Sequence, residues 1–186
     1  MKHYNMKRLI LIILGVLILA EVVWAVWTLS GRAAGTRASA PKPTAVVLIP
    51  DKNSLRVGET VKIDINLSST RSTSGADLVI IYDPNVLAVK NVGNPVSLGN
   101  LYPSYPSNLV SEGEGRVSVS AVTQENAGVI ADGHFGSIEF MAKAAGQTQV
   151  MVDFAFGQTT DSNIIAVDSG DDILLKVTNA SLSVLP

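Results

Sequence analysis

The stretch from Ser74 to Val92 places two short apolar runs on either side of one turn signal, Asp83-Pro84-Asn85. Pro84 fixes its own backbone φ and biases Asp83 away from helix, and Asp and Asn side chains readily hydrogen-bond the local backbone. The flanking runs are rich in Val, Ile and Leu, which favour a sheet, and neither run is long enough for a globular helix. The sequence therefore predicts two strands joined by a tight corner.

The rest of the chain from Ala45 onward has the same character. Short apolar or alternating runs are separated by Gly, Asp, Asn, Pro or Ser, and no long 3.6-residue apolar period occurs. Nine strands are predicted: Ala45 to Ile49, Thr60 to Leu67, Asp77 to Tyr82, Leu87 to Val92, Arg116 to Val122, Gly136 to Ala142, Gln149 to Phe154, Ile164 to Val167 and Leu174 to Val184. This order predicts an all-β fold, a nine-stranded antiparallel jelly-roll β-sandwich whose core lies between two sheets.

An apolar run of 19 residues, Leu9 to Trp27, precedes this domain, and its only charged residue is Glu21. As a helix the run would extend about 28 Å, enough to span a bilayer core. Basic residues precede it and two tryptophans lie near its far end, so the amino terminus is expected in the cytoplasm. The sequence predicts a cytoplasmic tail and transmembrane helix over residues 1–28, a flexible extracellular linker over 29–44 and a β-sandwich domain over 45–186. The expected localisation is the cell membrane, single-pass, with the C-terminal domain extracellular.

Alternatives remain open for the amino-terminal segment. Gly31-Arg32-Ala33 offers small residues at the two positions that a signal peptidase inspects, so the segment is alternatively a cleaved signal peptide. Glu21 either lies away from the centre of the bilayer, where its insertion costs a tolerable amount, about 2 to 3 kcal/mol, or it serves helix packing, as in a type IV pilin. Only six residues, Val22 to Trp27, follow Glu21 within the run, whereas a pilin has a long apolar helix still to come.

Composition argues against several kinds of function. The chain has no Cys, which excludes disulfides, thiolate metal sites and a catalytic thiol. Its two histidines, His3 and His134, lie in different regions, so no histidine pair or Ser-His-Asp set is predicted. Residues 45–186 carry 8 Lys and Arg against 15 Asp and Glu, a net charge of −7, which disfavours nucleic-acid binding. The sequence therefore predicts neither an enzyme nor a cofactor.

The tract from Asp161 to Asp172 is rich in carboxylates, which are ligands that calcium prefers. It lacks the spacing of an EF-hand, with no Gly at the sharp-turn position and no terminal Glu. Turn chemistry is therefore the favoured interpretation, with a calcium site as the alternative, and no metal ligand is assigned.

Strand alternation predicts which side chains face outward. If Leu78, Ile80 and Tyr82 enter the core, Asp77, Val79 and Ile81 lie on the outer face of their strand. In the same way Ser118, Ser120 and Val122 lie outside, opposite to Val117, Val119 and Ala121. Aliphatic side chains on an outer face beside a carboxylate need an explanation. Either a loop or neighbouring side chains cover them, or they form a patch that binds a partner.

The same residues carry a resemblance to a known family. The run Asp77 to Leu87, with Tyr82-Asp83-Pro84-Asn85-Val86-Leu87 at its end, is preceded by Val57-Gly58-Glu59-Thr60-Val61. It is followed in order by Asp132-Gly133-His134-Phe135-Gly136-Ser137-Ile138 and by Leu175 to Val184. Over roughly Thr44 to Leu185, this pattern resembles a cohesin domain.

The resemblance implies a binding face. In cohesins, the outer face that carries strands like Asp77 to Tyr82 and Arg116 to Val122 docks a calcium-loaded dockerin, and an aspartate at the position of Asp77 belongs to that surface. This chain has Gly75 where the family frequently has Asn, and Gln124 to Gly128 resembles the polar loop at the edge of the face. The residues predicted to bind the partner are Asp77, Val79, Ile81, Ser118, Ser120, Val122, Gln124, Glu125 and Asn126.

The sequence thus predicts a membrane-anchored extracellular module that binds a protein partner, either a dockerin-bearing protein or another surface protein. The alternative is a carbohydrate-binding module with polysaccharide as its partner, because such modules share the jelly-roll sandwich. The domain has no Trp, but Tyr102 and Tyr105, in the Pro-rich loop Leu101 to Pro106, would then form a small aromatic platform for sugar.

Overall fold

A computed structural model describes residues 13–25, 42–125, 127–158 and 160–186. The chain divides into two compact units, Met1–Ala40 and Pro41–Pro186. In the first unit residues 13–25 form a helix, while residues 9–12 and 26–27 of the predicted membrane span lie outside the described residues. Within the described part of the chain, no helix has both the length and the apolar character needed to cross a membrane. The predicted linker is described only from residue 42.

The second unit is an all-β domain, as predicted. Its described residues form fourteen strands: β1 Ala45–Pro50, β2 Ser54–Arg56, β3 Thr60–Ser68, β4 Ser72–Tyr82, β5 Leu87–Val89, β6 Val96–Leu98, β7 Ser104–Ser111, β8 Arg116–Val122, β9 Val129–Ile130, β10 Gly133–Ala142, β11 Gly146–Val152, β12 Asn163–Ala166, β13 Lys176–Thr178 and β14 Ala180–Leu185. A short 3₁₀ helix, Glu112–Glu114, joins β7 to β8.

The strands form two sheets. The six-stranded sheet has the order β13-β1-β3-β10-β5, with β6 also paired to β10. The eight-stranded sheet has the order β2-β14-β11-β4-β8-β7, with β12 and β9 also paired to β4. The chain passes between the sheets at most of its connections, as the jelly-roll prediction requires. Two edge pairs, β1 with β13 and β14 with β2, are parallel, so the sandwich is not purely antiparallel.

The predicted count of nine strands is wrong. Sequence reasoning missed β2, β6, β7 and β9, because three of these have only two or three residues and Pro106 interrupts the alternation of β7. The predicted strand Leu174 to Val184 is two strands, β13 and β14, in different sheets. Asn179 lies at this break, and its side chain accepts a hydrogen bond from the backbone N–H of Val152 at 3.0 Å.

Alternating apolar side chains fill the space between the sheets. On β3, Val61, Ile63, Ile65 and Leu67 are buried, whereas Lys62 points outward. Across the sandwich the inward residues of β8 are buried in the same cluster, as are Leu78, Ile80 and Tyr82 of β4. The inward set predicted from alternation is therefore confirmed on both sheets.

The predicted corner joins β4 in one sheet to β5 in the other. The Asp83 side chain accepts a hydrogen bond from the backbone N–H of Asn85 at 2.8 Å, and the Asp83 carbonyl accepts one from Leu87 at 2.9 Å. Gly115, before β8, has a φ of 63°, and a Cβ there would lie 2.1 Å from the carbonyl oxygen of Tyr82. Only glycine allows this close approach, which brings the start of β8 against the end of β4.

Candidate partner-binding face

The candidate face is the side of the eight-stranded sheet that is turned away from the six-stranded sheet, over β4, β8 and β7. Residues paired directly across neighbouring strands point to the same side of a sheet, so the strand register gives the layout of this face. Four rows run across β4, β8 and β7: Gly75, Val122 and Ser104; Asp77, Ser120 and Ser107; Val79, Ser118 and Leu109; Ile81, Arg116 and Ser111. The predicted strand residues of the site therefore lie together.

Asp77 lies on β4, between β8 and β12, and is exposed. Its neighbours across the two adjoining strands are Ser120 on β8 and Asn163 on β12. Its carboxylate forms no ion pair or side-chain hydrogen bond with any of the residues that the structure describes. A negative charge held by a regular strand, with small polar neighbours, is open to a cationic or hydrogen-bonding group of a partner.

Val79 does not present its side chain to solvent, and this part of the prediction is wrong. It is 7% exposed although its register places it on the outer face. The loop between β11 and β12 leaves and rejoins the sheet beside this residue. The Val79 carbonyl accepts a hydrogen bond from the backbone N–H of Asp153 at 2.8 Å, and its N–H donates to Ser162 Oγ at 2.9 Å. Of the two reasons offered for outward aliphatics, cover by a loop or neighbouring side chains applies here.

The other predicted strand residues are at least partly accessible. Ile81, Ser118 and Ser120 are half-buried, and Val122 is exposed. Ile81 lies between Arg116 on β8 and Met151 on β11. Another protein can cover a patch of small hydroxyls and scattered aliphatic side chains without burying many unpaired charges.

The polar loop at the end of β8 extends this face. Gln124 and Glu125 are exposed, while Asn126 lies outside the described residues. The backbone N–H of Thr123 donates to the Ser74 carbonyl of β4 at 2.8 Å. The Thr123 hydroxyl donates to the Ala127 carbonyl at 2.8 Å. The loop is therefore tied to β4 at its base.

Leu109 is a residue of this face that sequence reasoning missed. It lies on β7 opposite Ser118 and is 65% exposed, although it is a large aliphatic. The signal for it was present, because Leu109-Val110 is separated from the β8 run by the turn-forming sequence Glu112-Gly113-Glu114-Gly115. Two apolar runs joined by such a turn predict a hairpin, which would have placed Leu109 beside β8.

The comparisons with known proteins identify this fold. The family model described as the cohesin domain matches residues 46–181. The chain belongs to the cohesin domain family. The search of curated proteins finds no match.

Solved cohesin structures resemble this chain over most of its length. A type II cohesin domain from the cellulosome of Acetivibrio cellulolyticus has a TM-score of 0.63 and 16% identity, covering 76% of this chain and 95% of its own. A type I cohesin–dockerin complex from Clostridium thermocellum has a TM-score of 0.58 and 16% identity, covering 76% and 99%. A non-cellulosomal cohesin from the archaeon Archaeoglobus fulgidus has a TM-score of 0.58 and 15% identity, covering 78% and 93%. At these identities the likeness shows the fold alone.

In this cohesin domain the structure explains why position 75 is glycine. A Cβ on Gly75 would lie 2.8 Å from the backbone carbonyl oxygen of Ala121 on β8. Because backbone cannot move aside as a flexible side chain can, a larger residue would push β4 and β8 apart. The space that the family frequently fills with Asn is closed here.

The aromatic platform suggested for sugar binding is not formed. Tyr102 is 3% exposed, and its hydroxyl is 2.7 Å from the Thr73 hydroxyl. Tyr105 is half-buried and donates a hydrogen bond from its hydroxyl to the Phe135 carbonyl at 3.1 Å. Both rings pack edge-on against Phe135, and burial raises the pKa of Tyr102 and Tyr105. These tyrosines are therefore part of the cohesin core and its edge, because the segment predicted as a loop continues into β7.

Carboxylates of the acidic tract support turns in the cohesin domain. Asp172 Oδ1 accepts hydrogen bonds from the backbone N–H groups of Ile164 and Leu174, each at 3.0 Å. Asp168 forms an exposed ion pair with Arg71. Among the described residues no group of three or more His, Cys, Asp or Glu side chains is placed to hold a metal ion.

Proposed function

We propose that this protein is a cohesin module that binds a dockerin-bearing protein through the outer face of β4, β8 and β7. The partner contacts in this proposal are Asp77 and Ile81 on β4, Ser118, Ser120 and Val122 on β8, and the loop carrying Gln124 and Glu125. Val79 supports the face from beneath the loop of residues 153–162 and does not contact the partner.

The observation that carries this proposal is the unpaired, exposed carboxylate of Asp77 on β4, beside the small side chains of Ser120 and Ser107 in the same row. Related structures that share this fold include cohesins in complex with dockerins, from Acetivibrio cellulolyticus and Clostridium thermocellum. The rest of the domain surface is acidic, with a net charge of −7 over residues 45–186, so basic groups on the partner would be favoured. The proposed activity is binding, and no catalytic step is assigned.

Calorimetric titration of the full-length protein with purified dockerin modules tests this proposal. The dockerins are those encoded in the same genome, together with type I and type II modules. At least one should bind with a 1:1 stoichiometry in the presence of calcium, and a chelator should abolish binding, because the dockerin needs its ion to fold. Absence of binding by every dockerin would reject the proposal, and retention on cellulose or chitin would favour the sugar-binding alternative.

We further propose that the amino-terminal segment anchors the module on the outer surface of the cell membrane. The apolar run Leu9 to Trp27, with Lys2, Lys7 and Arg8 before it, supports this proposal. Protease added to intact cells should then remove the β-sandwich and spare a small membrane-embedded fragment. A soluble mature form that begins near Ala34 would instead establish signal-peptide cleavage.

A further inference from the structure

A loop of ten residues, 153–162, interrupts the pairing of β4 with its neighbours on one side. Before the loop, Val152 of β11 pairs with Ile80, and after it Asn163 of β12 pairs with Asp77. The chain thus leaves the sheet and returns to it across two strand positions, Leu78 and Val79, and both ends of the loop bond to Val79. We name this segment, which is described except at residue 159, the 153–162 loop.

The described part of the 153–162 loop is held by hydrogen bonds. Ser162 is fully buried, and its hydroxyl both accepts from the Val79 N–H at 2.9 Å and donates to the Val79 carbonyl at 3.2 Å. Asp161 Oδ2 accepts from the backbone N–H of Ala155, which closes the loop on itself. The Gln158 N–H donates to the Ala155 carbonyl at 3.0 Å, and Gly157 has a φ of 82°. The tip is therefore a formed turn.

This turn presents Phe156 to solvent. Phe156 is 80% exposed, which is the largest exposure of any large apolar side chain among the described residues. Its neighbour Phe154 instead packs against the core, so the loop has an inner and an outer aromatic residue. Exposing a whole phenyl ring on a hydrogen-bonded turn forgoes stability that burial would supply, and aromatic side chains are enriched at protein–protein interfaces relative to the rest of the surface.

The position of Phe156 places it beside the proposed face. Phe156 is three residues from Asp153, whose N–H bonds to the Val79 carbonyl, so it lies within about 11 Å of Asp153. On the other side of Val79, Leu109 lies two strands away in the same row, at about 10 Å. Between these two exposed apolar residues lie Val79, which is buried, and Ser118, which is half-buried. Asp77 lies in the adjacent row.

We propose that Phe156 and Leu109 are two apolar anchors that flank the partner-binding face and determine which partner this chain accepts. This inference rests on the proposed function and adds two residues to its site. The partner it fits is a dockerin that presents an apolar pocket for the Phe156 ring and a basic side chain for Asp77 between the two anchors. Side chains that become fully desolvated in a well-packed pocket of a partner are those whose truncation costs the most affinity.

Titration of the full-length variants Phe156→Ala and Leu109→Ala against a dockerin that the unmodified protein binds tests this inference. Each should raise Kd roughly tenfold or more, as truncation of anchor residues does, while the thermal midpoint stays within about 2 °C because neither side chain is buried. Ile49→Ala is the matched control. Ile49 is 47% exposed on β1 of the six-stranded sheet, and its removal should leave Kd unchanged.

The outcomes separate this inference from the proposed function. If the unmodified protein binds a dockerin and both variants bind equally well, the two-anchor arrangement is wrong and the proposed function stands. If only Leu109→Ala weakens binding, Phe156 is no anchor and the inference is likewise overturned. If no dockerin binds the unmodified protein, the proposed function fails and this inference fails with it.

Discussion

Single side chains on β4 alternate between a sealed core and an accessible face, and the two environments meet at adjacent residues. Ile80 is fully buried in the core cluster, whereas Ile81 is half-buried on the outer face beside Arg116. A charge at position 80 would be enclosed by apolar side chains, whereas a charge at position 81 would remain hydrated. Neighbouring substitutions of the same chemistry can therefore separate folding from binding.

Ile80→Asp should lower the free energy of unfolding by about 3 kcal/mol or more, because it buries an unpaired carboxylate. Ile81→Asp should lower it by only about 1 kcal/mol. Urea denaturation of the two variants measures the difference. Equal losses would show that both faces of β4 are buried, and the partner site would then have to be sought elsewhere.

Gly75 is a second position at which one added atom, the Cβ of a larger residue, should change the stability of the domain. Gly75→Ala should lower the free energy of unfolding by about 1 to 3 kcal/mol, because the added Cβ meets the backbone carbonyl of Ala121. Gly93→Ala is the control, since a Cβ there would meet only the Asn91 side chain, at 3.8 Å. Similar stability of the two variants in the same denaturation experiment would contradict the close approach of β4 and β8.

At the scale of elements, alternation along the sequence predicted β4 and β8, two of the three strands that carry the site. The inward and outward residues of β3, β4 and β8 follow a period of two, so they could be assigned from sequence alone. The cover over Val79 could not be predicted from sequence, because its hydrogen-bonding partner Ser162 is 83 residues away. Leu109 and Phe156 were missed for related reasons, since Pro106 obscured β7 and a loop tip has no periodicity. The alternation of apolar and polar residues along the sequence therefore predicts a strand, but contacts between residues distant in sequence determine which of its side chains are covered.

The anchorage of the 153–162 loop is testable through Ser162. Ser162→Ala should lower the free energy of unfolding by about 1 to 3 kcal/mol, because it leaves the buried Val79 N–H without its acceptor. Hydrogen exchange at Val79 should accelerate at the same time. Ser183→Ala is the control, because its hydroxyl only accepts an exposed hydrogen bond from Gln147, and its cost should be within about 0.5 kcal/mol. Unchanged exchange at Val79 in Ser162→Ala would show that the loop is held by other contacts.

At the scale of the whole molecule, the two sheets present different outer surfaces. The outer face of the six-stranded sheet carries paired charges, including Lys62 with Asp64 at 3.0 Å and Lys90 with Glu139 at 2.6 Å. The outer face of the eight-stranded sheet carries the unpaired Asp77, small hydroxyls and exposed aliphatics, beside one ion pair between Arg116 and Asp153 at 3.5 Å. Charges that are already paired offer less to a partner than an unpaired one, which is the reason for proposing the face of the eight-stranded sheet as the partner surface.

Binding of a partner through the β4 face of this cohesin domain is best tested with a matched pair of carboxylate substitutions. Calorimetry with a dockerin that binds the unmodified protein should show Asp77→Ala raising Kd about 30-fold, equivalent to about 2 kcal/mol. Glu139→Ala, on the outer face of the opposite sheet, should leave Kd unchanged, and both variants should retain the thermal midpoint. An unchanged Kd for Asp77→Ala, or a larger loss of affinity for Glu139→Ala, would contradict this assignment of the binding face.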